Sequence, residues 1–291
     1  MVSLPTKPTL HIGCGIKWIA QQPQCDLLFT DPPFSTHVPD GYADIEEFAN
    51  HWLPIALSKV KSTGCAYVFV GAYPPEVTAY MNVKIPDYLV LTDMLVWCYG
   101  NVPPTCSKTH YRRNGQLILY YRGEGAPPLD SSLTSEMRMV QEFNHPSCSS
   151  QGGLHPWQKP MELAERFIRH STKAGDVVYD PFTCTGTFLL AANKLGRVGF
   201  GAEINEEHAA IAIRRGCVVE GVSSGDGNEE LQPDNPPDST IGDDTTPHVP
   251  DEGGVEHALQ SGTNVPLDDR VATTASSVAR EGVTAQPVTS V

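Results

Sequence analysis

Residues 25–34, CDLLFTDPPF, constrain this chain more than any other stretch. Cys25 to Thr30 is an apolar run without helical period, of the length of a buried strand. Asp31-Pro32-Pro33 stops it abruptly, because two prolines remove two backbone donors and fix φ. The expected result is a stiff turn at the carboxyl end of a strand, which is where open α/β sheets bind their ligands. That turn offers a carboxylate (Asp31), a backbone carbonyl free to accept (Pro32) and an aromatic face (Phe34), with Pro33 holding them rigid. Such parts suit a planar group that carries an NH2: the oxygens accept its hydrogens while the ring stacks on its face. An ordinary proline turn explains the same four letters, so the turn alone does not decide.

The rest of the chain alternates strand and helix signals. Leu10 to Gly13 reads as a first strand and Ile16 to Ala20 as a helical turn. Tyr42 to Val60 carries an apolar stripe (Ile45, Phe48, Trp52, Ile55) with Pro54 as a potential kink. Ala66 to Val70 reads as a strand, Pro74-Pro75 as the start of a helix through Met81, and Leu89 to Tyr99 with Gln116 to Arg122 as neighbouring strands. Residues 123–156 lack periodicity. Regularity returns with a helix after Pro160, a strand Val177 to Asp180, a helix Thr187 to Leu195 and a strand Val198 to Ile204. A last helix follows, capped by Asn205 and closed by Gly216. This order predicts an α/β fold with a doubly wound, mainly parallel sheet.

Charge divides the chain. Of the net −14, residues 218–291 carry −12, with no Phe, Trp or Tyr, so too little apolar surface is present to offset ordering entropy. The expectation is a domain over residues 1–217 and a disordered acidic tail over 218–291. No apolar stretch is long enough to span a membrane, the N-terminus lacks the apolar core of a signal peptide, and the eight cysteines form no CxxC pair. Reduced thiols, no metal and a cytoplasmic location are the expectations that follow.

A second turn of chemical interest is DVVYDPFTCTGT, residues 176–187. Asp180 ends a strand, Gly186 lets the backbone approach a ligand, and Thr185 and Thr187 open a helix whose amides point outward. Glu203 ends the next strand 23 residues beyond Asp180, about where an acid binds the two hydroxyls of a ribose. Without a full GxGxxG or a Walker lysine, the turn suits a nucleoside without phosphates, and Asp180 would meet a cationic group. S-adenosylmethionine has that description.

With both turns in view, the chain resembles the DNA amino-methyltransferases of the adenine-N6 and cytosine-N4 class, in the beta arrangement, where D-P-P-[YFW] precedes D-P-F-x-G-x-G-T. Asp31 to Phe34 match the first and Asp180 to Thr187 the second; HPWQKP (155–160) and GFGAEIN (199–205) are similar to two further elements of the family. The resemblance covers about residues 10–215 and implies a Rossmann-like methyltransferase sheet in permuted order. It implies Asp31, Pro32, Pro33 and Phe34 as catalytic residues. It places Asp180, Phe182, Cys184, Thr185, Gly186, Thr187, Glu203, Ile204 and Lys159 at the cofactor. Residues 123–156 occupy the family's target-recognition position. Three residues depart from the pattern: Cys184 replaces the first glycine of the cofactor turn, Cys14 a frequent Asp, and Gln116 a frequent Glu.

The implied activity is methylation of an exocyclic amine on a flipped base of double-stranded DNA, with adenine-N6 favoured because Asp rather than Ser opens the catalytic turn. Cytosine-N4 methylation, amino-methylation of RNA and an inactive nucleic-acid-binding relative stand as alternatives. Lys108, Tyr111, Arg112 and Arg113 form a basic loop with an aromatic, suited to phosphate contacts. Oligomeric state is open, a homodimer being one option.

Overall fold

The computed structural model describes residues 7–101, 111–146 and 154–221. Their strands are β1 (Thr9–Ile12), β2 (Cys25–Thr30), β3 (Val60–Val70), β4 (Leu89–Cys98), β5 (Gly115–Gly123), β6 (Val140–Glu142), β7 (Val177–Asp180), β8 (Val198–Glu203) and β9 (Val218–Val219). The helices are α1 (Gly15–Gln21), α2 (Ile45–Leu57), α3 (Pro74–Met81), α4 (Met161–Ser171), α5 (Thr187–Lys194) and α6 (Glu206–Arg214). All nine strands join one sheet, ordered β6-β4-β5-β3-β2-β7-β8-β1-β9. Only the pairings of β5 with β3 and with β4 are antiparallel.

Helices cover both faces, as a mainly parallel sheet requires. One face packs Leu28, Ala66 and Val68 against Trp18 of α1, Phe48 and Trp52 of α2 and Tyr80 just beyond the first turns of α3. The other packs Leu27, Phe29 and Tyr67 against Leu163 and Phe167 of α4 and Phe188 of α5. β2 therefore sends alternate side chains into two cores, which is why it reads as a continuous apolar run. Pro54 lies inside α2 without ending it.

Strand order reverses between β2 and β7. From β2 the chain crosses to β3 on one side, and from β7 to β8 on the other, so a crevice opens at the carboxyl ends of these two neighbours. Both sequence turns start there, at Asp31 and at Asp180.

Three differences from the sequence reading concern edges. β3 starts at Val60, not Ala66: the polar stretch Lys61 to Gly64 bulges out of β3 opposite Asp26 of β2, and Lys61 Nζ holds Asp26 Oδ1 at 2.6 Å. Within residues 123–156, Val140–Glu142 adds a short parallel edge strand beside β4, and Trp97 Nε1 donates to Phe143 O at 2.8 Å. The domain does not end at 217. Val218 and Val219 pair with β1, and Val218 N donates to Pro8 O at 2.9 Å, so the first residues expected in the tail belong to the sheet. Residues 222–291 of that tail lie outside the described residues. Among the described residues no helix is long and apolar enough to cross a membrane.

Candidate active site

Asp31 follows the last residue of β2, and its carboxylate is split between two tasks. Oδ2 accepts from the ammonium of Lys159, whereas Oδ1 is buried and has no hydrogen-bond partner. Burial raises the Asp31 carboxyl above the usual range, and the Lys159 charge opposes that shift. Lys159 was expected at the cofactor; its Nζ sits on Asp31, 5.2 Å from the ring centroid of Phe69, 5.8 Å from Trp97 and 5.9 Å from Phe34. A buried ammonium with one carboxylate and three aromatic faces is held by cation–π attraction as well as by its ion pair.

The loop after Phe34 is tied down by a residue that sequence reasoning did not single out. Glu76, fully buried in the first turn of α3, accepts from Gly71 N at 2.5 Å and from Ser35 N at 2.7 Å. Its carboxylate thus joins the end of β3 to the end of the catalytic turn. An acid in a helix's first turn reads in sequence as a favourable dipole partner at the surface. Only packing reveals its burial.

The second turn is built differently from the expectation. Asp180 lies beneath the surface, where its Oδ1 accepts from Thr30 Oγ1 at 2.8 Å and from Phe182 N at 3.2 Å. Burial pushes its carboxyl up to about 8, so at neutral pH it is mainly the uncharged acid, a poor counter-ion for a cation. A carboxyl whose pKa is raised on folding binds a proton that the unfolded chain has lost. The wild type should therefore lose stability relative to Asp180→Asn as pH rises from 4 to 8, by up to about 1.4 kcal/mol per unit, and run parallel to it above that. Denaturation of both proteins across that range checks this; parallel curves throughout would mean Asp180 is ionised in the fold.

Gly186, Thr185 and Thr187 support the turn from behind. At Gly186 (φ +83) a Cβ would come within 3.1 Å of both Ala212 Cβ and Cys217 Sγ, so the glycine admits α6 rather than a ligand. Arg215 Nη1 donates to the hydroxyls of Thr185 and Thr187 at 3.0 Å each and to Thr185 O at 2.6 Å. These three residues and Asp180 do not border the cavity described below.

Cys184 is the one described non-glycine residue with positive φ, at +47. Its N–H donates to Glu203 Oε2 at 2.7 Å, while Asn205 N donates to Oε1 at 2.8 Å, so Glu203 ties the second turn to the end of β8. Burial, with Glu203 and Asp31 nearby, pushes the Cys184 thiol up to about 12, which keeps it protonated. The left-handed conformation costs a non-glycine residue roughly 1–2 kcal/mol, against about 0.5–1 kcal/mol for the greater unfolded freedom of glycine. Cys184→Gly should thus raise stability by about 0.5–1 kcal/mol in thermal melts without weakening cofactor binding. A large loss of affinity would make the thiol itself a contact.

The two turns border one cavity of about 730 Å³. Asp31, Pro32, Pro33, Phe34 and Lys159 line it, together with Phe182, Cys184, Glu203 and Ile204. Phe182 is set edge-on against Trp52, with centroids 5.0 Å apart. Ile204 is 71% exposed beside the Glu203 carboxylate, so an apolar face adjoins a pair of acceptors. That combination fits the ring and diol of a nucleoside. Further lining residues that the sequence gave no reason to choose include Tyr73, Tyr99, His145 and His208. Of the basic loop, Arg113 reaches the cavity with its guanidinium 4.1 Å over the Tyr73 ring. Arg112 is exposed, Tyr111 is fully exposed, and Lys108 lies outside the described residues.

The model of a family described as DNA methylase, covering the N6 and N4 enzymes, matches residues 25–214, which include both turns. The chain belongs to the N6/N4 DNA methylases. A methylase of this family is an S-adenosylmethionine-dependent DNA amino-methyltransferase, acting on the N6 class or the N4 class of substrate. The methylase is 28% identical over 222 residues to the type II methyltransferase M.HpaI of Haemophilus parainfluenzae, covering 65% of this chain and 67% of that protein. Its fold is similar to that of M1.HpyAVI, solved as a complex with SAM, with a TM-score of 0.58 at 23% identity over 71% of this chain and 98% of that one. It is similar also to the cytosine-N4-specific PvuII DNA methyltransferase, with a TM-score of 0.61 at 19% identity over 78% and 92%. The sheet and its helices are thus those of a methyltransferase.

Proposed function

We propose that the methylase transfers a methyl group to N6 of an adenine swung out of double-stranded DNA at a specific site. The observation that carries this is the Asp31 carboxylate, in a residue that lines the cavity, with one oxygen held by Lys159 and the other buried and unpaired. The amine of adenine is a poor nucleophile because its lone pair is delocalised into the ring. Asp31 Oδ1 and Pro32 O accept its two hydrogens, which favours a more tetrahedral nitrogen with a localised lone pair. Lys159 fixes the other oxygen, so the carboxylate cannot turn away, and its charge opposes the upward shift that burial imposes on Asp31. After transfer the nitrogen carries a surplus proton, which Asp31 Oδ1 accepts. Phe34 stacks on the extruded ring, and a base must leave the duplex to reach a crevice of this depth.

Glu203 and Ile204 are the residues that hold the ribose and the adenine face of S-adenosylmethionine, with Phe182 and Cys184 completing the wall. When bound, that cofactor supplies an electrophilic methyl group on a sulfonium. Positioning and electrostatics supply the rest, so no covalent enzyme intermediate is needed. Adenine is preferred over cytosine because a carboxylate, not a hydroxyl, opens the catalytic turn. Arg112, Arg113 and Tyr111, with Lys108 of the same sequence loop, are proposed to hold DNA phosphates. The test is mass spectrometry of nucleosides from the DNA of cells expressing the protein, with sequencing to map the modified site. N6-methyladenine is expected. N4-methylcytosine would overturn the base assignment, methylated amines in RNA alone the choice of DNA, and no modified base the activity.

A further inference from the structure

Gln116, the first β5 residue after Gly115, borders the same cavity as Asp31, and its Oε1 is buried without a hydrogen-bond partner. Four buried side-chain atoms among the described residues are in that condition, and of their four residues Gln116 and Asp31 alone line this cavity. Buried polar groups are nearly always paired, so two orphans on residues that line one cavity mark a place for a polar ligand. Their positions are related by the sheet. Gln116 is the ladder partner of Trp97 on β4, and alternation puts its side chain on the face that carries Ile118 and Tyr120. The ammonium of Lys159, the partner of Asp31, lies over Trp97 on that face. Leu117, the next residue, is paired with Val70 at the end of β3, so Gln116 stands just beyond the last rung, beside the Gly71 that Glu76 holds.

We propose that Gln116 recognises the target base by donating a hydrogen bond to the ring nitrogen beside its amine-bearing carbon: N1 of adenine, or N3 if the base is cytosine. This rests on the methyl-transfer reading of the cavity. With the amine's hydrogens taken by Asp31 Oδ1 and Pro32 O, the adjoining ring nitrogen is a bare acceptor and needs a donor. A carboxamide holds a donor and an acceptor on one carbon, and half a turn about its terminal bond exchanges them. Nε2 then stands in the dry position and Oε1 faces the open cavity. A carboxylate at the same place would set negative charge against the ring lone pair. Guanine and thymine carry an N–H at this ring position and a carbonyl in place of the amine. Against Asp31 and Gln116 both of their groups would be mismatched, so the pair selects the two amino bases.

The test uses the full-length protein and a duplex with its mapped site, in which the target base is replaced by 1-deazaadenine, or by 3-deazacytosine if cytosine is modified. Either analogue keeps the amine and lacks the ring nitrogen. On it the wild type should lose roughly ten- to hundredfold in kcat/KM, the effect of a missing buried hydrogen-bond partner. Gln116→Leu should lose about as much on the natural duplex and treat the two duplexes alike within about twofold. Gln116→Glu, similar in size but unable to donate when ionised, should behave like the leucine variant; it serves as the comparison if leucine prevents folding. Calorimetric binding of S-adenosylhomocysteine should be unchanged in both. A Gln116→Leu enzyme with wild-type kcat/KM, or one that still discriminates against the analogue as fully as the wild type, would overturn the assignment. So would discrimination against 7-deazaadenine that depends on Gln116. A wild type that fails on the natural duplex would instead remove the proposed activity itself.

Discussion

Asp31→Asn should lower single-turnover methyl transfer by about 10² to 10³-fold, the range seen when one preorganised polar group at a reacting centre is lost. Cofactor affinity should change little, because the ribose and adenine of the cofactor are assigned to Glu203 and Ile204 and not to Asp31. The amide oxygen of Asn can still accept one hydrogen from the base, but it brings no charge and is a far weaker proton acceptor. Stability responds too. Lys159 is 5% exposed, and removing its carboxylate leaves a buried ammonium without a counter-charge, a change that typically costs roughly 3–5 kcal/mol. Combining Asp31→Asn with Lys159→Met should therefore restore the melting temperature without restoring turnover. That separation distinguishes a chemical role from a structural one. Near-normal turnover in the well-folded double variant would sink the assignment of Asp31.

Glu203→Ala should do the reverse and act mainly on the cofactor. Both carboxylate oxygens already accept from backbone, Oε2 from Cys184 and Oε1 from Asn205, and each keeps a second lone pair for a ribose hydroxyl. Loss of a charged acceptor should weaken S-adenosylmethionine binding by about 1–3 kcal/mol. It also leaves two N–H groups without an acceptor and frees the strained turn at Cys184, so the melting temperature should fall. Calorimetry with the cofactor and with an analogue lacking the ribose hydroxyls separates the two effects. If Glu203 binds the diol, the variant should bind both ligands about equally, whereas the wild type prefers the natural one. Unchanged affinity for the cofactor would take Glu203 out of the ribose site.

Local chemistry made the main elements and both turns legible in the amino-acid sequence. A run such as Cys25 to Thr30 can only be a buried segment, and two prolines after Asp31 can only end it, whatever the rest of the chain does. Asn205 caps α6 through its own side chain, so that boundary too was local. What tertiary structure decided is which groups are dry and which are paired. Asp180 looks in sequence like a ligand-facing acid, yet strand pairing of β2 with β7 puts Thr30 against it and buries it as a neutral carboxyl. Lys159 was legible as part of a motif, but its partner lies 128 residues away and is set by the position of α4 beneath the crevice. Glu76 carried no signal, and Gln116 only that of an amide where the family often has Glu, because an acid in a first turn and an amide at a strand's start belong equally well at a surface. Residue type and spacing determine which conformation a segment prefers. Burial and the identity of a hydrogen-bond partner depend on strands brought together from distant parts of the chain, and those two properties set the charge and direction of every group in the site.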